Sequence, residues 1–265
     1  RIQNLWRVKS CLDIQLLLPP VQSHNQHTSG QAYLLYLHTL LRLFDPKNEL
    51  YLLQIDYPLL GRDFSNLQKE VKFCNDSKAG WLHLDIMDQQ FVPNLSFGPG
   101  LVKSLRQHSE LFFDVHLMVS NPFDMLLPFI DAGADGISFH IEATNKLEEN
   151  ISIIKSKNVK VGIAINPDTQ IGDLKDIISK IDLVCLMGVF PGFAGQKFIE
   201  NTFDRLKELK ALIKDSNSKA LIEVDGGVNE KNHMDLKSLG ADVLVAGSYI
   251  FNSEDYDVVI KKLKE

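Results

Sequence analysis

The sequence predicts a (β/α)8 barrel over residues 51–265, and three observations carry that prediction. Short runs rich in Val, Ile, Leu and Phe alternate with longer amphipathic stretches, the rhythm of a parallel sheet covered by helices. Eight such runs can be counted. Polar residues also cluster at the C-terminal ends of several of them, the end at which a barrel opens its mouth. In chain order the expected strands are 52–56, 81–86, 111–117, 136–140, 160–165, 183–187, 220–224 and 243–246. The helical stretches between them include 64–74 and 198–214, the second with Phe203, Leu206, Leu209 and Ile213 on one face at three- and four-residue spacing. D-A-G-A-D at 131–135 and S-L-G-A-D at 238–242 both read as a helix end, a glycine stop and entry into a buried strand. A doubly wound open sheet is the structural alternative, because a strand count does not show closure.

Residues 1–50 lack this rhythm and are expected to be an N-terminal extension of unassigned structure. They mix Pro19-Pro20, a polar stretch over 22–30 holding His24 and His27, and a leucine-rich segment. A short amphipathic helix is expected over 33–44, ending before Asp45-Pro46, since proline disfavours a helical conformation in the preceding residue. The two histidines are read as solvated loop rather than as ligands. A secretory signal is not expected, because the apolar stretch is followed by no small-residue cleavage pattern.

Composition narrows the function classes. The chain has 265 residues, 45% hydrophobic and 23% charged, which is ordinary globular composition. A net charge of -6 supplies no broad basic surface, so nucleic acid is not an expected partner. No apolar run approaches the ~20 residues that span a bilayer, so no membrane partner is expected either. Cys11, Cys74 and Cys185 are an odd number without C-x-x-C spacing, which points to thiols in a reducing cytoplasm rather than to disulfides or a thiolate zinc site.

The chemistry is expected at the strand ends. In W-L-H-L-D-I-M-D the strand period puts His83, Asp85 and Met87 on one face, with Leu82, Leu84 and Ile86 on the other. In F-F-D-V-H-L-M-V the same period aligns Asp114, His116 and Met118, and E-V-D-G-G-V brings Asp225 to the rim. Two imidazoles and two carboxylates from three strands can converge on one divalent cation, with zinc, iron and manganese all suited to such donors. A lone buried histidine is more often hydrogen-bonded core, and a lone aspartate more often a cap. Several together would be costly without a metal or substrate to satisfy them. Gly226 and Gly227 after the seventh strand, with Gly247 and Ser248 after the eighth, can bring backbone N–H groups to a phosphate, aided by a helix expected just after Ser248. Gly192, Phe193, Ala194 and Gly195 form a stretch able to fold over a ligand. Met87, Met118 and Met187 fall at three strand ends and could form a soft apolar wall.

Taken together, H-L-D-I-M-D-x-x-F-V-P-N-L-S-F-G-P, D-V-H-L-M-V, P-G-F-A-G-Q-K-F, E-V-D-G-G-V and A-G-S resemble the ribulose-phosphate 3-epimerase family over about residues 52–265. The resemblance implies a metal-dependent epimerase that inverts C3 of D-ribulose 5-phosphate to give D-xylulose 5-phosphate. It implies His83, Asp85, His116 and Asp225 as ligands of one divalent metal ion, with Asp85 and Asp225 also the acid-base pair and no organic cofactor. It further implies that His116, Gly192 to Gly195, Gly226, Gly227, Gly247 and Ser248 touch a phosphorylated ketose. Such barrels often associate, so a homo-oligomer is an open expectation.

This chain departs from the family pattern at its first strand, where Y-P-L-L-G-R-D puts Pro58 at the place of a substrate-binding serine. Gln89 and Gln90 replace a usual glycine and histidine, and L-M-G-V-F-P is less polar than the usual sixth-strand end. These departures leave open a hexulose 6-phosphate such as allulose 6-phosphate as substrate. They also leave open a different phosphate-binding barrel, such as one of tryptophan biosynthesis, or a non-catalytic barrel that binds sugar phosphate.

Overall fold

The computed structural model describes residues 54–56, 67–76, 80–253 and 255–264. The helix expected over 33–44, together with His24, His27, Cys11 and Pro58, lies outside the described residues. Eight parallel strands close into a barrel in the order β1-β2-β3-β4-β5-β6-β7-β8. They are β1 Gln54–Asp56, β2 Trp81–Met87, β3 Phe112–Met118, β4 Gly136–His140, β5 Lys160–Ile165, β6 Leu183–Met187, β7 Leu221–Asp225 and β8 Val243–Val245. Pairing of β1 with β8, Ile55 opposite Leu244, completes the ring and excludes the open sheet.

Helices cover the outside: α1 Leu67–Asp76, α2 Pro99–Arg106, α3 Phe123–Ala132, α4 Leu147–Ser156, α5 Thr202–Asp215, α6 His233–Ser238, α7 Gly247–Phe251 and α8 Tyr256–Lys264. The outward strand residues, Leu82, Leu84, Val115, Leu117, Ile163 and Val224 among them, pack against these helices in one continuous core. A separate plug of Trp81, Leu183 and Val243, joined by Phe112 and Leu221, fills the barrel's N-terminal end. The core therefore lies between sheet and helices, and the lumen is free to carry polar groups above its plug.

Three boundaries differ from expectation. The helix expected over 198–214 begins only at Thr202. Phe198 is buried and the Ile199 N–H donates to the Gly188 carbonyl at 2.9 Å, which holds this stretch extended against the end of β6. The segment between β5 and β6 holds a 3-10 turn at Ile171–Leu174 rather than an α-helix, although Ile171, Leu174, Ile177 and Ile178 still bury their side chains. The helix expected after Ser248 already begins at Gly247, because the Ile250 N–H reaches the Ala246 carbonyl at 3.2 Å. Ser248 thus sits inside its first turn, and five residues make a weak dipole.

The two glycine stops behave as their pattern requires. Gly133 and Gly240 take φ of 103° and 102°, a left-handed conformation that ends a helix without a Cβ clash. The aspartates that follow them repeat one device. Asp135 accepts the Phe113 N–H at 2.9 Å and Asp242 the Ile222 N–H at 2.8 Å, while each donates its own N–H to the carbonyl of the same partner. Asp182 does the same with Val161, at 3.0 and 2.8 Å. The N-terminal rim is thereby laced at three points, β3 to β4, β5 to β6 and β7 to β8.

Candidate active site

The register of β2 on β3 sets His83 opposite Asp114, Asp85 opposite His116 and Met87 opposite Met118. β7 on β6 sets Asp225 opposite Met187. Because alternate residues point inward, these positions converge in the upper lumen. One donor atom from each of His83, Asp85, His116 and Asp225 lies within 4.8 Å of the other three. Within this group His83 Nε2 is 3.3 Å from Asp85 Oδ1 and 3.8 Å from Asp225 Oδ2. His116 Nδ1 is 3.2 Å from Asp85 Oδ1 and 3.6 Å from Asp225 Oδ2.

Both imidazoles are fully buried, and each has a second set of partners on its far nitrogen. His83 Nδ1 lies 2.7 Å from Asp114 Oδ2, with Glu223 Oε1 at 3.8 Å. His116 Nε2 lies 2.9 Å from His140 Nε2, and His140 Nδ1 lies 3.3 Å from Glu142 Oε2. Asp114 had been singled out from the sequence, but His140, Glu142 and Glu223 had not. The signal was present in H-I-E at the end of β4, an imidazole and a carboxylate in alternation like the H-L-D of β2.

Burial alone would raise the Asp85 carboxyl, but the charges and hydrogen bonds of His83 and His116 outweigh it and hold Asp85 well below the usual carboxylate range. Asp225 responds in the opposite sense. Its burial outweighs the attraction of His83, and with repulsion from Asp85 pushes it up to about 6. His140 is pushed down to about 4, chiefly by burial and against the pull of Glu142, so it is neutral near pH 7. Burial raises Glu142 too, but hydrogen bonds from His140, Thr169 and the Asn166 N–H carry it down to about 2.

Above the four donors opens a cavity of about 280 Å³. Asp85 and Asp225 form its floor, while His83 and His116 lie behind them. Met87, Met118 and Met187 line one side. Gly192, Phe193, Ala194 and Gly195 border it from the loop after β6, and Gly226, Gly227, Gly247 and Ser248 from the loops after β7 and β8. Val189, Gln196, Val228 and Asn252 also line it and were not foreseen. Gly226 and Gly227 take φ of 104° and 72°. A Cβ on Gly227 would stand 2.7 Å from the Phe198 Cα, so this turn accepts no side chain. Beyond Gly227 and Ser248 a second cavity of about 450 Å³ extends past Asn229 and Tyr249.

The long second-strand motif builds the rim as well as the floor. Ser96 Oγ donates to the Asp85 carbonyl at 2.7 Å and accepts the Met87 N–H at 2.9 Å, which folds the loop back over its own strand. Asp88 accepts the Gln90 and Phe91 N–H groups through one oxygen and both the N–H and hydroxyl of Ser120 through the other. In this tight turn Gln89 is forced to φ 59°, the conformation for which glycine is suited. Asn94 Nδ2 donates to the Gly192 carbonyl at 3.1 Å, tying the loops after β2 and β6 together across the mouth.

Fold and site together define a (β/α)8 barrel enzyme with a mixed imidazole-carboxylate centre at the C-terminal mouth. The sequence profile of the ribulose-phosphate 3 epimerase family matches residues 54–251. The chain is 42% identical over 209 residues to the ribulose-phosphate 3-epimerase of Buchnera aphidicola subsp. Schizaphis graminum, covering 78% of this chain and 91% of that one. It is 39% identical to the ribulose-phosphate 3-epimerase of Bacillus subtilis, covering 78% and 95%. The chain belongs to the ribulose-phosphate 3-epimerase family and is an epimerase. Among solved structures, the tryptophan synthase alpha-subunit of Pyrococcus furiosus superposes with a TM-score of 0.61 over 81% of this chain and 97% of that one. At 19% identity this likeness concerns the barrel alone. No helix among the described residues is long and apolar enough to cross a membrane.

Proposed function

We propose that this epimerase inverts C3 of D-ribulose 5-phosphate to give D-xylulose 5-phosphate, using Asp85 and Asp225 as opposed acid and base beside one divalent metal ion. The observation that carries the proposal is the convergence of two carboxylates and two imidazoles within 4.8 Å at the floor of a cavity. This donor set suits a divalent cation of the zinc, iron or manganese class, with His83, Asp85, His116 and Asp225 as its ligands. Such an ion, once bound, would supply Lewis-acid stabilisation of the negative charge that develops beside the C2 ketone.

The chain's own residues do the rest. Inversion requires a proton to leave C3 on one face and another to arrive on the opposite face, which one carboxylate cannot readily do alone. Asp85 and Asp225 would divide this work, one taking the C3 proton and the other returning one to the opposite face, with the roles exchanged in the reverse direction. Gly226, Gly227, Gly247 and Ser248 would hold the phosphate by backbone N–H groups. Phe193 and its neighbours from Gly192 to Gly195 would exclude water above the sugar, and Met87, Met118 and Met187 would pack beside its carbons. Residues 51–265 would then be the catalytic domain, acting in the cytoplasm without an organic cofactor.

The test is kinetics of the metal-loaded protein on ribulose 5-phosphate and on hexulose 6-phosphates side by side, in deuterated water. The proposal expects turnover of the pentulose with solvent deuterium at C3 of the product. Lack of deuterium at C3 would overturn the mechanism. A six-carbon substrate is the second reading, favoured by the 450 Å³ cavity that adjoins Gly227 and Ser248. Preferred turnover of the hexulose phosphate would establish it.

A further inference from the structure

We infer that Glu142, acting through His140, holds the tautomer of His116 that a bound cation needs, in which Nδ1 turns a lone pair toward the ion rather than the N–H that it offers Asp85 in the ion-free site. The inference rests on the metal reading above for its purpose, though not for its geometry. His116 and His140 meet Nε2 to Nε2 at 2.9 Å, a contact that two lone pairs or two N–H groups would oppose, so one hydrogen must occupy it. If His116 donates it, His116 Nδ1 is a lone pair and His140 carries its proton on Nδ1. If His140 donates it, the assignments reverse and His116 Nδ1 is blocked. The two buried rings are thus a two-position device, and what each Nδ1 faces decides its setting.

At one end, Asp85 Oδ1 and Asp225 Oδ2 lie 3.2 and 3.6 Å from His116 Nδ1 and would draw a proton there. At the other, Glu142 Oε2 lies 3.3 Å from His140 Nδ1 and draws the proton the opposite way. Glu142 is itself held in place: its Oε1 accepts the Asn166 N–H at 2.9 Å and the Thr169 hydroxyl. Only Oε2 is left facing His140, and an ionised carboxylate oxygen can do nothing there but accept. Glu142 is therefore the counterweight to Asp85, and His140 a positioning residue for His116. His83 receives the equivalent support directly, from Asp114 at 2.7 Å.

The same geometry supplies a discriminating variant. In Glu142→Gln the amide oxygen is required where Asn166 donates, which directs the amide NH2 at His140 Nδ1. An N–H there forces His140 to accept on Nδ1, to donate from Nε2, and so to push the His116 hydrogen onto Nδ1. Glu142→Asp keeps an acceptor and keeps the charge. Zinc affinity, read by competition with a chromophoric chelator, is expected to fall about 10- to 100-fold in Glu142→Gln, the usual loss for a partner of a metal-binding histidine, and to be largely restored in Glu142→Asp. Ring 15N spectra of the zinc-loaded protein are expected to show His140 as the Nδ1–H tautomer, and those of Glu142→Gln to show it as Nε2–H. Unchanged zinc affinity in Glu142→Gln, or an Nε2–H tautomer of His140 in the zinc-loaded unaltered protein, would overturn the inference. The spectrum of the unaltered protein judges the relay even if Glu142→Gln fails to fold. A protein that binds no zinc, iron or manganese would instead overturn the metal reading, and this inference with it.

Discussion

At the N-terminal rim of the barrel, Asp135, Asp182 and Asp242 each accept a backbone N–H of the strand before them, whereas at the C-terminal mouth Asp85 and Asp225 face imidazoles and one another. The side chain is the same, but Asp135 and Asp182 are only half-buried where Asp85 and Asp225 are nearly enclosed, and the partner differs. A backbone N–H has no other chemistry to offer, so a carboxylate bound to it is committed to holding strands together. An imidazole can give up its contact to a cation, so a carboxylate beside it keeps its lone pairs available. The lesson is that an aspartate at the entry of a barrel strand and one at its exit are distinguished by what they are bonded to. Asp85 and Asp225 are driven in opposite directions although they share one floor.

The sharpest way to break the comparison is to neutralise the mouth. Asp85→Asn or Asp225→Asn is expected to lower turnover by at least about 10²-fold, with the thermal transition preserved, as read by an epimerisation assay and a melting curve on the same sample. Wild-type turnover in either variant would show that the mouth aspartates are no different from those of the rim.

Next in size is the pH dependence of cation binding. Asp225 must lose its proton to act as a ligand, and its pKa stands at about 6, above the ordinary 3.8. Lowering the pH from 7 to 5 is therefore expected to weaken zinc binding by at least about tenfold through this one proton, as measured by isothermal titration. The sign for folding is the reverse of the usual carboxylate case. Between about pH 4 and 6 the folded chain holds a proton that the unfolded chain has lost, so this group's contribution to stability declines as pH rises through that window. A zinc affinity flat from pH 5 to 7 would refute the assignment of Asp225 as a ligand.

At the rim the expected effect is on folding. Asp182→Ala leaves the Val161 N–H without its side-chain acceptor and is expected to cost about 1–3 kcal/mol in a denaturant titration, with turnover per folded molecule unchanged. Loss of turnover without loss of stability would erase the distinction between the two ends. The smallest effect is expected at Gln89→Gly. Relief of the left-handed backbone at φ 59° is offset by greater freedom of the unfolded chain, leaving a net gain of less than about 1 kcal/mol. A clear destabilisation would mean that the Gln89 side chain, rather than the Asp88 turn, holds this loop.

Much of the barrel was legible because strand runs such as 160–165 and 183–187 are bounded by turn residues and too apolar to sit elsewhere. What escaped was set by contacts distant in sequence. The start of α5 depends on Ile199 reaching back to Gly188, and nothing in the local pattern of Phe198 to Asn201 announces it. The 3-10 turn between β5 and β6 follows a Pro167-Asp168 turn and contains Gly172, a stretch without sustained helical periodicity. At the site, His83, Asp85 and His116 were visible because imidazole and carboxylate alternate within one strand. His140 could not be linked to His116 without the register that sets His116 opposite Ser138, which brings the end of β4 up beside it. Glu142 became meaningful only once Asn166 and Thr169, from the loop after β5, were seen to fix one of its oxygens.

The three methionines along the cavity carry a consequence for how evenly the two epimers are bound. An epimerase must accommodate two mirror arrangements at one carbon and release either, so a wall shaped tightly around one configuration would trap it as a dead end. Unbranched thioether chains can change rotamer at little cost, which suits Met87, Met118 and Met187 to yield to a hydroxyl pointing one way and then the other. Replacing them with stiff, β-branched Ile would be expected to tilt the enzyme's relative affinity for the two sugars, while the position of equilibrium in solution, a property of the sugars alone, stays where it was.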